Sequence, residues 1–192
     1  QLLVGERGMV DAVIGRANKT ADACFTCVSF PRHTPLAVLA ELKASILVLD
    51  GLRSSENIGS ILRTAYSFGI TSVLCTPNVF AGVTGRACRA SMGWAFSFHF
   101  CVAEDLAAAL EELTVCGFLV VSADEHGPTD LCSLRGRVGA RPWALVLGAE
   151  IGGPSSTALE ASSVVVRIPH QKGDSLNVGH AAAICLYALC VQ

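Results

Sequence analysis

Residues 45–76, SILVLDGLRSSENIGSILRTAYSFGITSVLCT, hold the pattern that decides the fold. SILVLD (45–50) is a continuous apolar run bounded by polar residues and glycine, the pattern of a buried parallel strand. Residues 55–68 read as a helix closed by Gly69, and ITSVLCT (70–76) reads as a second strand. Strand, helix and strand at such short spacing describe parallel strands joined by a helical crossover.

The alternation continues outward. Downstream, the pattern predicts a short helix over 84–91, a strand over 94–100 (WAFSFHF), a helix over 103–115 ending at Gly117, and a strand over 117–123. DEHGPTD (124–130) reads as loop. Then come a strand over 143–150, a helix over 154–161 with Pro154 in its first turn, and a strand over 163–169 stopped by Pro169. A final helix over 175–190 has Ser175 placed to begin it. Upstream, residues 35–44 read as a helix with Thr34 as cap, 18–34 as irregular, and 1–17 without a clean period. The expectation is an α/β fold: a mostly parallel sheet with helices on both faces, spanning residues 45–192, with 1–44 as an N-terminal extension or the remnant of an upstream region.

Composition supports a well-buried sheet. Of 192 residues 52% are hydrophobic and only 16% charged, which excludes a disordered chain and favours a large core or a subunit interface. No run of 18 apolar residues is present, so no spanning helix and no membrane partner is expected. The first residues, QLLVGERGMV, lack the pattern of a secretory signal. Nine cysteines (24, 27, 75, 88, 101, 116, 132, 185 and 190) sit mostly in apolar stretches, which points to core thiols in a reducing intracellular compartment, the cytoplasm first, an organelle or the nucleus next. Cys24 and Cys27 form a lone CxxC with only His33 nearby as a third ligand, so no metal is expected.

The formal charge of −2 makes the whole chain no cationic magnet for nucleic acid. Its distribution is uneven. Residues 51–100 set Arg53, Arg63, Arg86 and Arg89 against Glu56 alone, whereas residues 101–134 carry seven acidic side chains and no Lys or Arg. Arg53, Arg86 and Arg89 are therefore the candidate nucleic-acid contacts.

Several familiar sites are missing. There is no GxGxxG after the first strand, no GxxxxGK, no GxSxG and no HExxH, so dinucleotide, triphosphate, nucleophile-elbow and zinc-protease readings fall away. Three unusual loops remain, each at the C-terminal end of a strand, where open parallel sheets bind ligands. In the first, Asn57 and Arg63 lie about 9 Å apart along a helix, close enough to meet two ends of one nucleotide. An arginine there needs a carboxylate or phosphate partner, in a structural salt bridge or in RNA. In the second, LGAEIGGPSS (147–156), Gly148, Gly152 and Gly153 bring backbone close to a ligand and place Glu150 at a strand end, as an ordinary tight turn would also do. In the third, IPHQKGDSLNVGH (168–180), Ser175 and Asn177 arrive at a helix start, to cap it or to hold a ligand.

In order and at sensible spacing, the three segments resemble the sequence motifs of the SpoU/TrmH family, in the SPOUT class of RNA 2'-O-methyltransferases. The Asn-x-Gly followed by Arg-Thr-Ala falls on Asn57, Gly59, Arg63, Thr64 and Ala65; the Ser-x-Gly falls on Ser91, Met92 and Gly93. Gly-x-Glu with a later glycine falls on Gly148, Glu150 and Gly153; Ile-Pro then Ser-Leu-Asn-Val falls on Ile168, Pro169, Ser175, Leu176, Asn177 and Val178. Ile151, Pro154 and Gly179 depart from the pattern.

The resemblance implies a sheet whose C-terminal stretch threads a trefoil knot, a homodimer, and S-adenosylmethionine as methyl donor, without metal, to a ribose 2'-hydroxyl of tRNA or rRNA. It assigns proton removal to Arg63, although a guanidinium keeps its proton at ordinary pH. Asn57, Glu150, Ser175 and Asn177 position the reacting groups. Cofactor contacts come from Leu147, Gly148, Gly153, Ile168 and Leu176, with Ser122 and Ala123 alongside. A non-catalytic RNA-binding homologue and a base-nitrogen methyltransferase of the same class are the rival readings; Ser-Leu-Asn-Val favours ribose over base.

Overall fold

The computed structural model describes residues 33–134, 138–139, 141–173 and 175–191, all within the unit Pro31–Gln192. Cys24 and Cys27 lie outside the described residues. Seven strands are β1 (Ile46–Leu49), β2 (Ser72–Cys75), β3 (His99–Val102), β4 (Leu119–Ala123), β5 (Thr129–Asp130), β6 (Trp143–Leu147) and β7 (Val164–Arg167). The helices are α1 (Leu36–Glu41), α2 (Ser55–Ser67), α3 (Pro77–Gly82), α4 (Gly85–Ala90), α5 (Leu106–Val115), α6 (Ser156–Glu160) and α7 (Val178–Cys190).

All strand pairs are parallel, in the order β3-β2-β1-β6-β4-β7-β5. Side chains alternate across each strand. Ile46, Val48, Leu74, Cys101, Val120 and Val146 share a core with Leu39 of α1, Leu106, Leu110 and Leu113 of α5, and Ala158 of α6. The opposite face buries Leu47, Leu49, Val73, Leu145 and Leu147, together with Ile58, Ile61, Leu62 and Ala65 of α2 and Ala182, Cys185, Leu186 and Leu189 of α7. Helix α7 packs on both α2 and β6. Each fully buried Leu or Ile is worth roughly 1.5–3 kcal/mol, so both helix layers are tied firmly to the sheet. No helix among the described residues is long and apolar enough to cross a membrane.

Several sequence expectations need correcting. WAFSFHF is not one strand: Trp94–Ser97 is a 3₁₀ turn and β3 runs from His99 to Val102. The aromatic side chains of Trp94 and Phe98 are used against Tyr66, not in a ladder. Thr34 does not cap α1, whose N-cap is Pro35 with no side-chain bond; the Thr34 N–H instead donates to the Phe100 carbonyl at 2.6 Å. Ser175 does not begin α7; Asn177 is its N-cap, accepting from the Gly179 N–H. Thr129–Asp130, expected in a loop, adds a two-residue strand beside β7, and α3 was not foreseen. Leu39 and Ala40, assigned by sequence to an extension, are buried in the core.

Of the cysteines among the described residues, Cys75, Cys101 and Cys185 are buried and Cys132 is exposed. Burial pushes the Cys75 thiol up to about 12, with Cys101 adding to the effect, and burial alone does the same for Cys185. A brief maleimide treatment of the native protein, read by peptide mass spectrometry, therefore labels Cys132 and spares Cys75 and Cys185 until denaturant is added. Equal labelling of Cys185 and Cys132 would contradict the packing of α7.

Candidate active site

Three of the loops meet at the carboxyl ends of β4, β6 and β7. They enclose a cavity of about 350 Å³, within the size range of small-molecule sites. Its walls are Ala123–His126 after β4, Leu147–Glu150 with Gly152 and Gly153 after β6, Val166, Ile168 and His170 after β7, and Ser175–Val178 with Ala181 at the start of α7.

The loop after β6 is shaped by close backbone approach. A Cβ on Gly148 would stand 1.9 Å from the Gly153 carbonyl carbon and from the Pro154 nitrogen, so no larger residue fits. Gly152 and Gly153 have φ of +89° and +67°, which turn the chain back so that the Ala149 N–H donates to the Gly153 carbonyl at 3.0 Å. Buried Asp50 pins the far side: its carboxylate accepts the Ser155 N–H at 2.7 Å. Asp50 escaped the sequence reading; a carboxylate closing a buried strand was the available signal.

Glu150 leaves this loop and reaches the start of α2. Its Oε1 accepts from Ser54 N–H at 3.0 Å and from Asn57 Nδ2 at 2.9 Å, while Oε2 accepts from Arg53 N–H at 3.2 Å. These donors gather at the N-terminus of α2, where a negative charge is favoured. Asn57 Oδ1 in turn accepts from Asn177 Nδ2 at 3.3 Å, and Asn177 Oδ1 caps α7 by accepting the Gly179 N–H at 2.9 Å. One polar chain, Glu150–Asn57–Asn177, thus joins the three segments singled out from sequence. Burial alone pushes the Glu150 carboxyl upward, but the bonds from Asn57, Ser54 and Arg53 outweigh it and hold the group below the ordinary carboxylate value.

The other sequence candidates fall into two groups. Leu147, Gly148, Gly153, Ile168, Leu176, Ser175 and Ala123 line the cavity. Ser122 does not; it is buried and bonded to Ser162 Oγ at 2.6 Å. Arg63 is exposed, makes no ion pair among the described residues, and is not a lining residue. Six residues at about 100° each set it about 120° around α2 from Asn57. Arg86 is held by Glu56 at 3.0 Å, both well exposed, while Arg53 and Arg89 are exposed. His33 is occupied by the Val102 carbonyl at 3.1 Å. Among the described residues no group of His, Cys, Asp and Glu is placed to hold a metal. Asp124, in the 121–124 loop expected beside the cofactor, also lines the cavity; Glu125, His126 and His170 line it too and were missed, because nothing local marks them.

An all-parallel sheet with a cavity across the carboxyl ends of its central and flanking strands defines a ligand-binding α/β domain. Residues 44–187 match the model of the SpoU rRNA Methylase family, and the chain belongs to that family. It is 35% identical over 163 residues to an uncharacterized tRNA/rRNA methyltransferase of Mycobacterium bovis, covering 81% of this chain and 56% of the relative. It is 34% identical over 145 residues to the 23S rRNA (guanosine-2'-O-)-methyltransferase of Nitrosomonas europaea, covering 75% of this chain and 55% of the relative. The crystal structure of the SpoU methyltransferase AviRb from Streptomyces viridochromogenes with AdoMet shares the fold, with a TM-score of 0.69 at 24% identity, covering 77% of this chain and 60% of that one. The chain spans little more than half the length of these curated relatives.

Because its folded carboxyl is depressed, Glu150 contributes stability that is present above the ordinary carboxylate range and is lost as pH falls through the lowered value. Glu150→Gln, which cannot titrate, should melt below wild type at about pH 7, with the gap closing as pH falls below the ordinary carboxylate range. A gap that stays constant across that window would mean that the carboxylate charge is not what the α2 start uses.

Proposed function

We propose that this chain is the catalytic domain of an RNA 2'-O-methyltransferase that transfers the methyl group of S-adenosylmethionine to a ribose of tRNA or rRNA. The carrying observation is the Glu150–Asn57–Asn177 chain, which joins three loops at the mouth of one cavity. Residues 45–192 form this domain, with 1–44 as its extension, although α1 packs beneath the sheet.

The cavity fits the cofactor in size, in its largely backbone and apolar walls at Leu147, Gly148, Ile168 and Leu176, and in having carboxylates but no Lys or Arg in its lining. AviRb, which shares the fold, binds AdoMet. When bound, the cofactor supplies an electrophilic methyl on a sulfonium; no metal is required. Gly148 and Gly153 keep the β6 loop folded close to it, and Ser175 lines the opposite wall. The polar chain keeps α2 and α7 in fixed relation across the site. Arg63 makes no ion pair among the described residues, and its planar fork suits a substrate phosphate and the oxyanion developing on the ribose. Arg53, Arg86 and Arg89 bind neighbouring phosphates.

A homodimer completes the site in this reading. Arg63 diverges from the cavity of its own chain, and Ile184 and Tyr187, three residues apart, are exposed on α7. We also propose that the chain ends in a trefoil knot. What supports it is the path of the chain: after β7, two strands beyond β6, it recrosses the carboxyl edge of the sheet to pack α7 on α2, which follows β1.

Arg63→Lys keeps the charge and loses the fork. Single-turnover transfer of labelled methyl to tRNA or rRNA should fall by about 100-fold, with melting temperature and calorimetric cofactor affinity unchanged. Near-normal transfer would remove Arg63 from the reaction. Failure of the wild type to bind the cofactor at millimolar concentration would instead favour a non-catalytic RNA-binding homologue. Light scattering at micromolar concentration should give about twice the 20.0 kDa of one chain; a single-chain mass would count against the shared site.

A further inference from the structure

One flank of α2 faces α7. On that flank Asn57 meets Asn177, and Phe68 meets Tyr187 edge-on. The other flank carries Gly59, packed against Ala87 and Ala90 of α4, and then Tyr66. The Tyr66 ring is stacked on Trp94 with centroids 4.1 Å apart and planes inclined by 12°. Trp94 is 41% exposed and Met92 beside it 66% exposed, a large apolar surface to leave in water.

The turn that presents them is built against local preference. Met92 has φ 58° and Gly93 φ 86°, and a left-handed methionine is strained. Buried Ser91 holds the turn, donating to the Cys88 carbonyl at 2.8 Å and accepting from the Ala95 N–H at 3.2 Å. The Met92 N–H donates to the Arg89 carbonyl at 3.0 Å. The stack is therefore a rigid feature of the backbone.

Its electrostatic setting is one-sided. Arg63 lies one helical turn before Tyr66, and Arg89 three residues before Met92. Neither is ion-paired among the described residues, and Glu56, the one carboxylate in residues 51–100, is already held by Arg86. We propose that the Tyr66–Trp94 stack is a base-stacking shelf for substrate RNA: an unpaired nucleobase lies on the outer face of Trp94 while adjoining phosphates meet Arg63 and Arg89. This rests on the methyltransferase reading above. Aromatic faces bind unstacked bases with little regard to sequence, and guanidiniums hold the backbone. Tyr66 is nine residues beyond Asn57, about 14 Å along α2, so the shelf takes a flanking base, not the methylated nucleotide. Two guanidiniums beside the stack, with Glu56 as the one carboxylate in residues 51–100 and that one held by Arg86, suit a polyanion better than an apolar subunit contact.

The sequence has two tryptophans, and Trp143 is 5% exposed, so Trp143→Phe leaves Trp94 as the reporting fluorophore. Titration with bulk tRNA, and with a single-stranded RNA of about 12 nucleotides, should quench its emission. Trp94→Ala should weaken RNA binding by about tenfold or more, with cofactor affinity and light-scattering mass unchanged, and Trp94→Phe should restore most of the loss. The shelf is overturned if RNA binds while Trp94 emission stays constant, if Trp94→Ala binds RNA as wild type does, or if that variant changes mass, which would assign the surface to a second copy. Wild type that binds neither RNA nor cofactor would overturn the underlying methyltransferase reading itself; wild type that methylates RNA past a silent Trp94 would overturn the shelf alone.

Discussion

The parallel pairing of β1 with β6 sets Leu49 opposite Leu147, and the site is built on that register. The two strands end together, so the loops that follow them leave the sheet side by side. The Asp50 N–H donates to the Leu147 carbonyl, and the Asp50 carboxylate receives Ser155 from the far end of the neighbouring loop. A slip of one residue would exchange the two faces of β6 and carry Glu150 away from the α2 start. Burial on both faces, with Val146 towards one helix layer and Leu145 and Leu147 towards the other, makes that slip costly.

Within this frame, Glu150 does two things with one carboxylate. It accepts the Arg53 and Ser54 N–H groups at the entry to α2, and it grips Asn57, whose carbonyl oxygen holds Asn177. The start of α2, the start of α7 and the β6 loop are thereby locked to each other by charge-assisted and neutral hydrogen bonds. A cavity between such loops keeps its shape without a ligand, which lowers the cost of ordering when one binds.

Helix α2 divides its surface among three tasks. Ile58, Ile61, Leu62 and Ala65 anchor it to the sheet, Asn57 bonds to Glu150 and Asn177, and Gly59 and Tyr66 face α4 and Trp94. The exposed ridge between the flanks carries Arg63. A single amphipathic helix thus connects the start of α7 beside the cavity, the exposed Arg63 and the aromatic stack, with spacings fixed by the helical rise.

The sequence by itself determined the alternating elements, the burial of strands such as ILVL, and the end of α2 before Gly69, because hydrophobic period and chain-terminating residues act locally. It also marked Asn57, Glu150 and Asn177, since glycine-rich strand ends with polar residues stand out against an apolar chain. It misread WAFSFHF as a strand and gave the α7 cap to Ser175, because a run of aromatics or a serine near a helix start has the same local appearance whichever partner it finds. Only the tertiary structure decided that β6 inserts between β1 and β4, and that Ser122 turns to Ser162 while Asp124 and His170 line the cavity. Those outcomes depend on contacts between residues dozens of positions apart, set by strand order and helix phase, which no local pattern encodes.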